Sequence, residues 1–99
     1  MPRATLIHHE KVEMDDGSIL EMILWEVPMP VRGSGHRFKY SLFYGEPGRR
    51  IVGYDNEAGK GDHRHYDGHE EAYRFTTREQ LVRDFLADVS RVRDGAKRG

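Results

Sequence analysis

Apolar residues follow two periods along this chain, a two-residue period over the first half and a helical period near the C-terminus. The two-residue period predicts four β-strands, at residues 4–14, 19–27, 36–44 and 49–54. Asp15-Asp16-Gly17-Ser18 is a hairpin turn signal between the first two, because Asp-Gly tolerates the positive φ that such turns need. Strand 19–27 has apolar residues on both faces, which is typical of a central strand, and prolines follow it.

The C-terminal third changes to helical spacing, with apolar residues three and four positions apart at Leu81, Val82, Phe85, Leu86, Val89 and Val92. Thr76 or Thr77 can cap this helix, since each has a Glu or Gln three positions further on. We therefore predict a helix over 77–92 that ends near Gly95. The last residues, 94–99, are predicted to form a frayed tail.

Together these elements predict one α+β domain over residues 1–99. An antiparallel β-meander of four to five strands, the fifth at 72–75, packs one of its faces against the single C-terminal helix. One helix covers one face only, so the other face, which bears Arg37 and Lys39, must be solvated or meet a partner. This uncovered face and Trp25, in a two-faced apolar strand, favour self-association, so we expect a two-fold homodimer.

The composition narrows the class of protein further. The chain has 99 residues, 33% of them charged, and no apolar run approaches the roughly 18 residues of a membrane span. The N-terminus has no apolar signal region, so we expect a cytoplasmic protein with no membrane partner. Zero cysteines exclude disulfides and thiolate metal sites, which leaves His, Asp and Glu as the strong metal ligands. A net charge of -1 argues against strong non-specific DNA binding.

Residues 54–75 form the most polar stretch of the chain and hold three of its six histidines, His63, His65 and His69. Glycines interrupt the stretch, and apolar residues at a fixed period are missing from it. It is therefore interpreted as a polar loop between ordered elements, where functional sites tend to lie. Histidine both gives and takes a proton near neutral pH, so any chemistry is expected here.

Metal binding is one chemistry that this stretch could support. In an extended backbone, His63 and His65 would point to the same side, about 6–7 Å apart. A divalent metal could take both histidines and Asp62, with Asp55 or Asp67 as alternative carboxylates. Apart from this metal alternative, no cofactor is expected.

Metal-free RNA cleavage is a second chemistry. One histidine takes the 2′-hydroxyl proton, the other protonates the leaving oxygen, and Arg64 or Lys60 offsets the phosphate charge. A third interpretation is a purely structural loop, in which Asp55 shapes the backbone after the fourth strand. The candidate catalytic residues are His63, Arg64, His65 and Asp55, and the candidate substrate-binding residues are Lys60, Tyr54, Tyr73, Arg37 and Lys39.

The order of residues from this stretch into the helix resembles the TumE-type toxins of bacterial toxin–antitoxin pairs. The resemblance covers 51–90 well and the N-terminal strands loosely, and it is carried by Tyr54, Asp55, Asn56, Lys60, Gly61, Asp62, His63, Arg64, His65, Tyr73, Phe75, Leu81, Asp84, Phe85, Asp88 and Val89. It implies a small cytoplasmic toxin whose partner is an antitoxin, a helix-turn-helix protein encoded next to it. It transfers no catalytic roles.

Two functional hypotheses follow. In the first, the chain is the toxin of a toxin–antitoxin pair and acts on RNA as a small endoribonuclease through its histidine-rich stretch. In the alternative, it is a non-enzymatic protein-binding module whose polar loop is structural and whose uncovered sheet face binds a partner.

Overall fold

The computed structural model describes residues 3–57 and 59–98. It contains a six-stranded antiparallel sheet whose strands lie side by side in chain order, followed by one helix, α1 (Arg78–Arg98). The strands are β1 (Thr5–Glu13), β2 (Ile19–Glu26), β3 (Phe38–Glu46), β4 (Arg49–Asp55), β5 (His63–Tyr66) and β6 (His69–Ala72). The predicted α+β class and meander order are confirmed, with six strands rather than four to five. Among the described residues, no helix is both long and apolar enough to span a bilayer.

The stretch that was predicted to be a polar loop contains a β-hairpin. β5 pairs with the edge of β4, and β6 pairs with β5. The connection is Asp67-Gly68, with φ of 49° and 83°, an Asp-Gly turn of the kind that favours two-residue hairpins. The loop prediction is therefore wrong for 63–72, and the predicted fifth strand at 72–75 is wrong because β6 ends at Ala72. The pattern misled because β6 is exposed throughout and is held by ladder hydrogen bonds rather than by an apolar face.

The hydrophobic core lies between the sheet and α1. One face of the sheet, here called the helix face, buries Leu20, Met22, Leu24, Tyr40, Leu42, Tyr44, Val52 and Tyr54. α1 contributes Leu81, Phe85 and Val89, of which Leu81 and Phe85 are fully buried. Of the six apolar residues of the predicted helical stripe, three are therefore core, Val82 and Val92 are partly buried against it, and Leu86 is exposed.

The start of α1 is set by Thr77, whose Oγ1 accepts a hydrogen bond from the Gln80 amide at 3.0 Å. This is an N-cap contact, so Thr77 rather than Thr76 caps the helix. The helix continues past the predicted end at 92 to Arg98. Gly95 does not stop it, because a glycine inside an exposed helix costs only about 1 kcal/mol relative to alanine.

The other face of the sheet, here called the open face, points away from α1, which packs against β3 and β4. Strand register assigns to it Ile23 and Trp25 of β2, Lys39, Ser41 and Phe43 of β3, Gly53 and Asp55 of β4, His63 and His65 of β5, and Glu70 of β6. Lys39 and Ser41 are exposed, and Trp25 and Phe43 are partly exposed. The open face therefore presents both aromatic and ionisable groups.

Candidate functional site

β5 divides the predicted site residues between the two faces of the sheet. Successive strand side chains point to opposite faces, so His63 and His65 lie on the open face and Arg64 lies on the helix face. The expected pairing of the two imidazoles on one side is confirmed. Arg64, which was expected to offset phosphate charge beside these histidines, lies on the opposite side of the sheet, because the same alternation carries it there.

The Nδ1 partners of the two histidines select opposite tautomers of the neutral imidazoles. His63 Nδ1 lies 2.9 Å from the Gly61 carbonyl oxygen, which only accepts, so Nδ1 carries the proton and Nε2 remains free to accept. His65 Nδ1 lies 2.9 Å from a guanidinium nitrogen of Arg50, which only donates, so Nδ1 accepts and Nε2 carries the proton. One imidazole therefore presents a lone pair at Nε2 and the other presents an N–H.

Carboxylates lie about 4 Å from both Nε2 atoms. Glu70 Oε1 lies 3.9 Å from His63 Nε2 and 4.0 Å from His65 Nε2. Asp55 Oδ2 lies 3.9 Å from His65 Nε2. The histidine side chains are 24% and 17% exposed, so a substrate can still reach them.

Arg50 is the cation beside the histidines, and it was not among the residues predicted for the site. β4 carries a bulge, because Val52 pairs with Tyr44 while Arg50 pairs with Gly45, which leaves Ile51 as the extra residue. By simple alternation from Val52, Arg50 would point to the helix face. The bulge shifts that alternation by one residue and turns Arg50 to the open face. No local signal in the sequence announces this shift.

Gly53 gives the Arg50 side chain room to reach the histidines. Gly53 lies between Phe43 and His65 in the strand register. A Cβ at this position would come within 2.5 Å of Arg50 Cδ. Arg50 therefore lies across the gap that the glycine leaves, with one nitrogen on His65 and another 3.7 Å from Asp55.

Arg64 is held on the helix face by a buried carboxylate of α1. Its Nε donates to Asp88 Oδ2 at 2.6 Å and to the Tyr54 hydroxyl at 3.0 Å, and Tyr54 donates to the same Asp88 oxygen at 2.5 Å. The Asp88 side chain is only 3% exposed. Burial alone would raise the pKa of this carboxyl, but the hydrogen bonds from Arg64 and Tyr54 outweigh it and lower the pKa. Burial and the bond to Asp88 raise the pKa of Tyr54, so it stays a neutral donor.

Tyr73 makes a parallel link to the helix. Its hydroxyl donates to Asp84 Oδ2 at 2.5 Å, and its ring meets the edge of Tyr54 at 4.9 Å between centroids. Burial, followed by the bond to Asp84, raises the pKa of the Tyr73 hydroxyl. Three side chains therefore link the rest of the domain to α1, namely Tyr54, Arg64 and Tyr73. The aspartates that hold them, Asp84 and Asp88, were not predicted as site residues.

Asp62 directly precedes β5, and its side chain points to a third place, the region around the start of β3. Its Oδ2 accepts from the Tyr40 hydroxyl at 2.5 Å and lies 2.8 Å from His36 Nε2, and its side chain is 6% exposed. These contacts already engage the Asp62 carboxylate, which was predicted to bind a metal together with His63 and His65. Within 3–57 and 59–98, no three His, Asp or Glu side chains form a group that could hold a metal ion.

The remaining predicted residues are dispersed. Lys60 is exposed and pairs with Glu57 at 3.1 Å, and Arg37 pairs with Glu26 at 3.8 Å. Asp67 forms the hairpin turn. Lys39 alone of the predicted basic residues lies in a strand on the open face.

Asn56, rather than Asp55, shapes the backbone after β4. Its side-chain oxygen accepts from the Tyr40 amide at 2.9 Å, and its nitrogen donates to the Phe38 carbonyl at 2.6 Å. The side chain thus extends the β3–β4 ladder by one step after the strand has ended. Asp55 is left on the open face beside His65 and Arg50.

A comparison with known families agrees with the resemblance seen in the sequence. The family described as Toxin TumE matches residues 3–93, which takes in all six strands and most of α1. No curated protein and no solved structure matches the chain. The match extends through the N-terminal strands, where the resemblance was only loose. The chain therefore belongs to the TumE toxin family.

Proposed function

We propose that this toxin acts on RNA as a metal-free ribonuclease whose catalytic groups lie on the open face. Family membership supports the toxin role and implies an antitoxin partner. The observation that carries the activity is the opposite character of the two Nδ1 partners, an accepting carbonyl at His63 and a donating guanidinium at His65. In the neutral imidazoles these partners leave a free Nε2 on His63 and an Nε2–H on His65. Transesterification of RNA needs such a pair, one group to accept a proton and one to donate it.

The first half of the reaction uses His63 as the base. Its Nε2 takes the proton of the 2′-hydroxyl, and the 2′-oxygen then forms a bond to phosphorus. The bond between phosphorus and the 5′-oxygen breaks, which leaves a 2′,3′-cyclic phosphate on one product. Glu70 stabilises the resulting imidazolium by its charge, since it lies 3.9 Å from Nε2.

The second half needs a proton on the leaving 5′-oxygen. While Arg50 donates to Nδ1, His65 is neutral and its Nε2–H is a weak acid. A bound phosphate would draw the Arg50 guanidinium to itself, where it offsets the charge that develops on the phosphate oxygens. His65 Nδ1 is then free to take up a proton from water, and the imidazolium gives its Nε2 proton to the leaving oxygen. In this scheme Arg50 replaces Arg64 and Lys60, the cations expected from the sequence.

Cleavage should continue in EDTA, because no step uses a metal. Purified protein incubated with cellular RNA should yield cyclic or 3′-phosphate ends and 5′-hydroxyl ends, identified by end-labelling. RNA with 2′-O-methyl groups should resist cleavage, because the nucleophile is blocked. Loss of cleavage in EDTA together with 5′-phosphate ends would replace this mechanism with a metal-dependent one. No cleavage under any condition would favour the non-enzymatic alternative.

The Gly53→Ala variant should lower cleavage about 10²–10³-fold without lowering stability, because the new methyl group displaces Arg50. Gly53 lacks a positive φ, so alanine fits its backbone and can stabilise the fold by about 0.4–1 kcal/mol. Cleavage assays and urea unfolding measure the two effects. Arg50→Ala should lose activity to a similar degree.

A variant that carries both Arg50→Ala and Gly53→Ala distinguishes displacement of Arg50 from a general disturbance of β4. If Gly53 acts only through Arg50, adding Gly53→Ala to Arg50→Ala should cause no further loss, since the two changes remove one contact. Gly95→Ala is the control, because a Cβ there meets nothing within 4 Å. Full activity in a folded Gly53→Ala protein, or additive losses in the double variant, would contradict the role of Arg50.

A second candidate function, non-enzymatic binding of a protein partner, is favoured by β1. This edge strand is exposed along almost its whole length, including Leu6 at 47% and Val12 at 38%. Exposed strand edges can pair with a strand of another protein. The helix-turn-helix type of the antitoxin and the two-fold homodimer stay predictions, and a dimer formed through β1 would leave the open face free.

A further inference from the structure

Two aromatic side chains share the open face with the histidines. Phe43 lies opposite Gly53 and thus two strands away from His65, about 9–10 Å across the sheet. Trp25 lies on the next strand, opposite Lys39. Both rings are partly exposed. Separate strands contribute them, so the sequence did not indicate an aromatic surface.

We infer that the open face binds single-stranded RNA, with Phe43 stacking the unpaired base beside the phosphate held at His65 and Trp25 stacking a base further along the nucleic-acid strand. The inference rests on the proposed ribonuclease function and names its substrate class. Because Gly53 has no side chain, the Arg50 side chain can cross the space between the Phe43 ring and the His65 imidazole. A phosphate that engages Arg50 there brings the adjoining base towards Phe43.

Stacking favours single strands over duplexes. An unpaired base offers its π-face to an aromatic side chain, whereas the bases of an A-form duplex are stacked on one another. A sheet surface with exposed aromatic rings is one of the common platforms for single-stranded RNA.

The charges of the open face agree with binding through stacking. Lys39 and Arg50 are opposed by Glu21, Asp55 and Glu70. Attraction to the phosphate backbone is therefore limited, and few counterions would be released on binding. We expect an affinity that falls only weakly as the salt concentration rises, unlike that of a strongly basic RNA-binding surface.

Binding can be measured apart from cleavage with a 2′-O-methyl oligonucleotide, which lacks the nucleophile. Fluorescence anisotropy of a labelled single strand gives the affinity. The chain has one tryptophan, so its emission reports on Trp25 alone. The single strand should bind and change this emission, and the matching duplex should bind at least about tenfold more weakly.

Phe43→Ala should weaken binding of the single strand about 5- to 150-fold, the range expected for loss of one stacked base. Phe43→Leu keeps an apolar side chain on β3 but lacks the π-face, so it should fold and still bind weakly. Leu86→Ala, on the exposed surface of α1, is the control and should bind like the wild type.

Several results would overturn the inference. These are equal binding of duplex and single strand, unchanged binding by both Phe43 variants, and unchanged Trp25 emission. A particle of twice the chain mass that buries Trp25 and does not bind the oligonucleotide would also overturn it, because a second copy would then cover the open face.

The inference and the proposed function can fail separately. A single strand that binds through Phe43, with no cleavage of unmodified RNA, would support the inference and contradict the ribonuclease. If the wild type cleaves RNA and Phe43→Leu binds and cleaves equally well, the ribonuclease is supported and the inference is overturned.

Discussion

His63→Ala and His65→Ala should each lower RNA cleavage about 10²–10⁴-fold, the usual cost of losing one acid–base group. Each variant removes one side of the proton transfer, the free Nε2 of His63 or the Nε2–H of His65. The same loss should abolish growth arrest when the variant is expressed without an antitoxin. Cleavage assays on the purified variants and growth curves measure the two effects.

His69→Ala is the matched control for these variants. His69 belongs to the same hairpin but lies opposite Tyr66, and the register carries it to the helix face. It should cleave and arrest growth like the wild type. If His63→Ala and His65→Ala stay folded and remain fully active, neither histidine is catalytic, and the histidine-bearing hairpin is structural. Circular dichroism and urea unfolding would establish the folded state.

Phe85→Ala should lower the free energy of unfolding by about 3–5 kcal/mol, the cost of a large cavity in a packed core. Phe85 is fully buried in α1 and meets the edge of the Tyr54 ring at 5.9 Å between centroids. Small domains have only about 5–15 kcal/mol of stability in total, so much of the chain could unfold at 37 °C. Urea unfolding followed by circular dichroism measures the loss.

The neighbouring residue supplies the control for Phe85. Leu86 lies on the same helix but is 42% exposed, so Leu86→Ala should change stability by less than about 1 kcal/mol. A loss below about 1 kcal/mol for Phe85→Ala would mean that α1 does not pack on the sheet as described. Cleavage by the folded fraction of Phe85→Ala should be normal, since Phe85 lies on the side of the sheet away from the histidines.

The spacing of apolar residues along the chain was enough to predict the first four strands, the helix and the core. Alternation placed Tyr40, Leu42 and Tyr44 on one face of β3, and helical spacing placed Phe85 and Val89 on one stripe of α1. These predictions hold because burial of an apolar face is the dominant favourable term in folding and leaves a direct trace in the order of residues. The i, i+2 spacing likewise placed His63 and His65 on one side.

Polar strands are harder to predict from the pattern of apolar residues. β6 buries none of its residues, and β5 carries only charged, histidine and tyrosine side chains. Both exist because the edge of β4 offers unpaired backbone groups and Asp67-Gly68 closes the turn. Hydrogen bonds between backbone groups do not depend on the side-chain pattern, so a search for apolar alternation passed over this hairpin.

The sequence by itself determined the first four strands, the helix, the core and the presence of a histidine pair. Only the tertiary structure decided which groups surround that pair. The β4 bulge turns Arg50 to the open face, while Asp88, 24 residues beyond Arg64, holds Arg64 on the other face. Phe43 reaches the same surface from another strand. Such neighbours are set by strand register and helix docking, which depend on contacts summed over the whole chain and have no local signature.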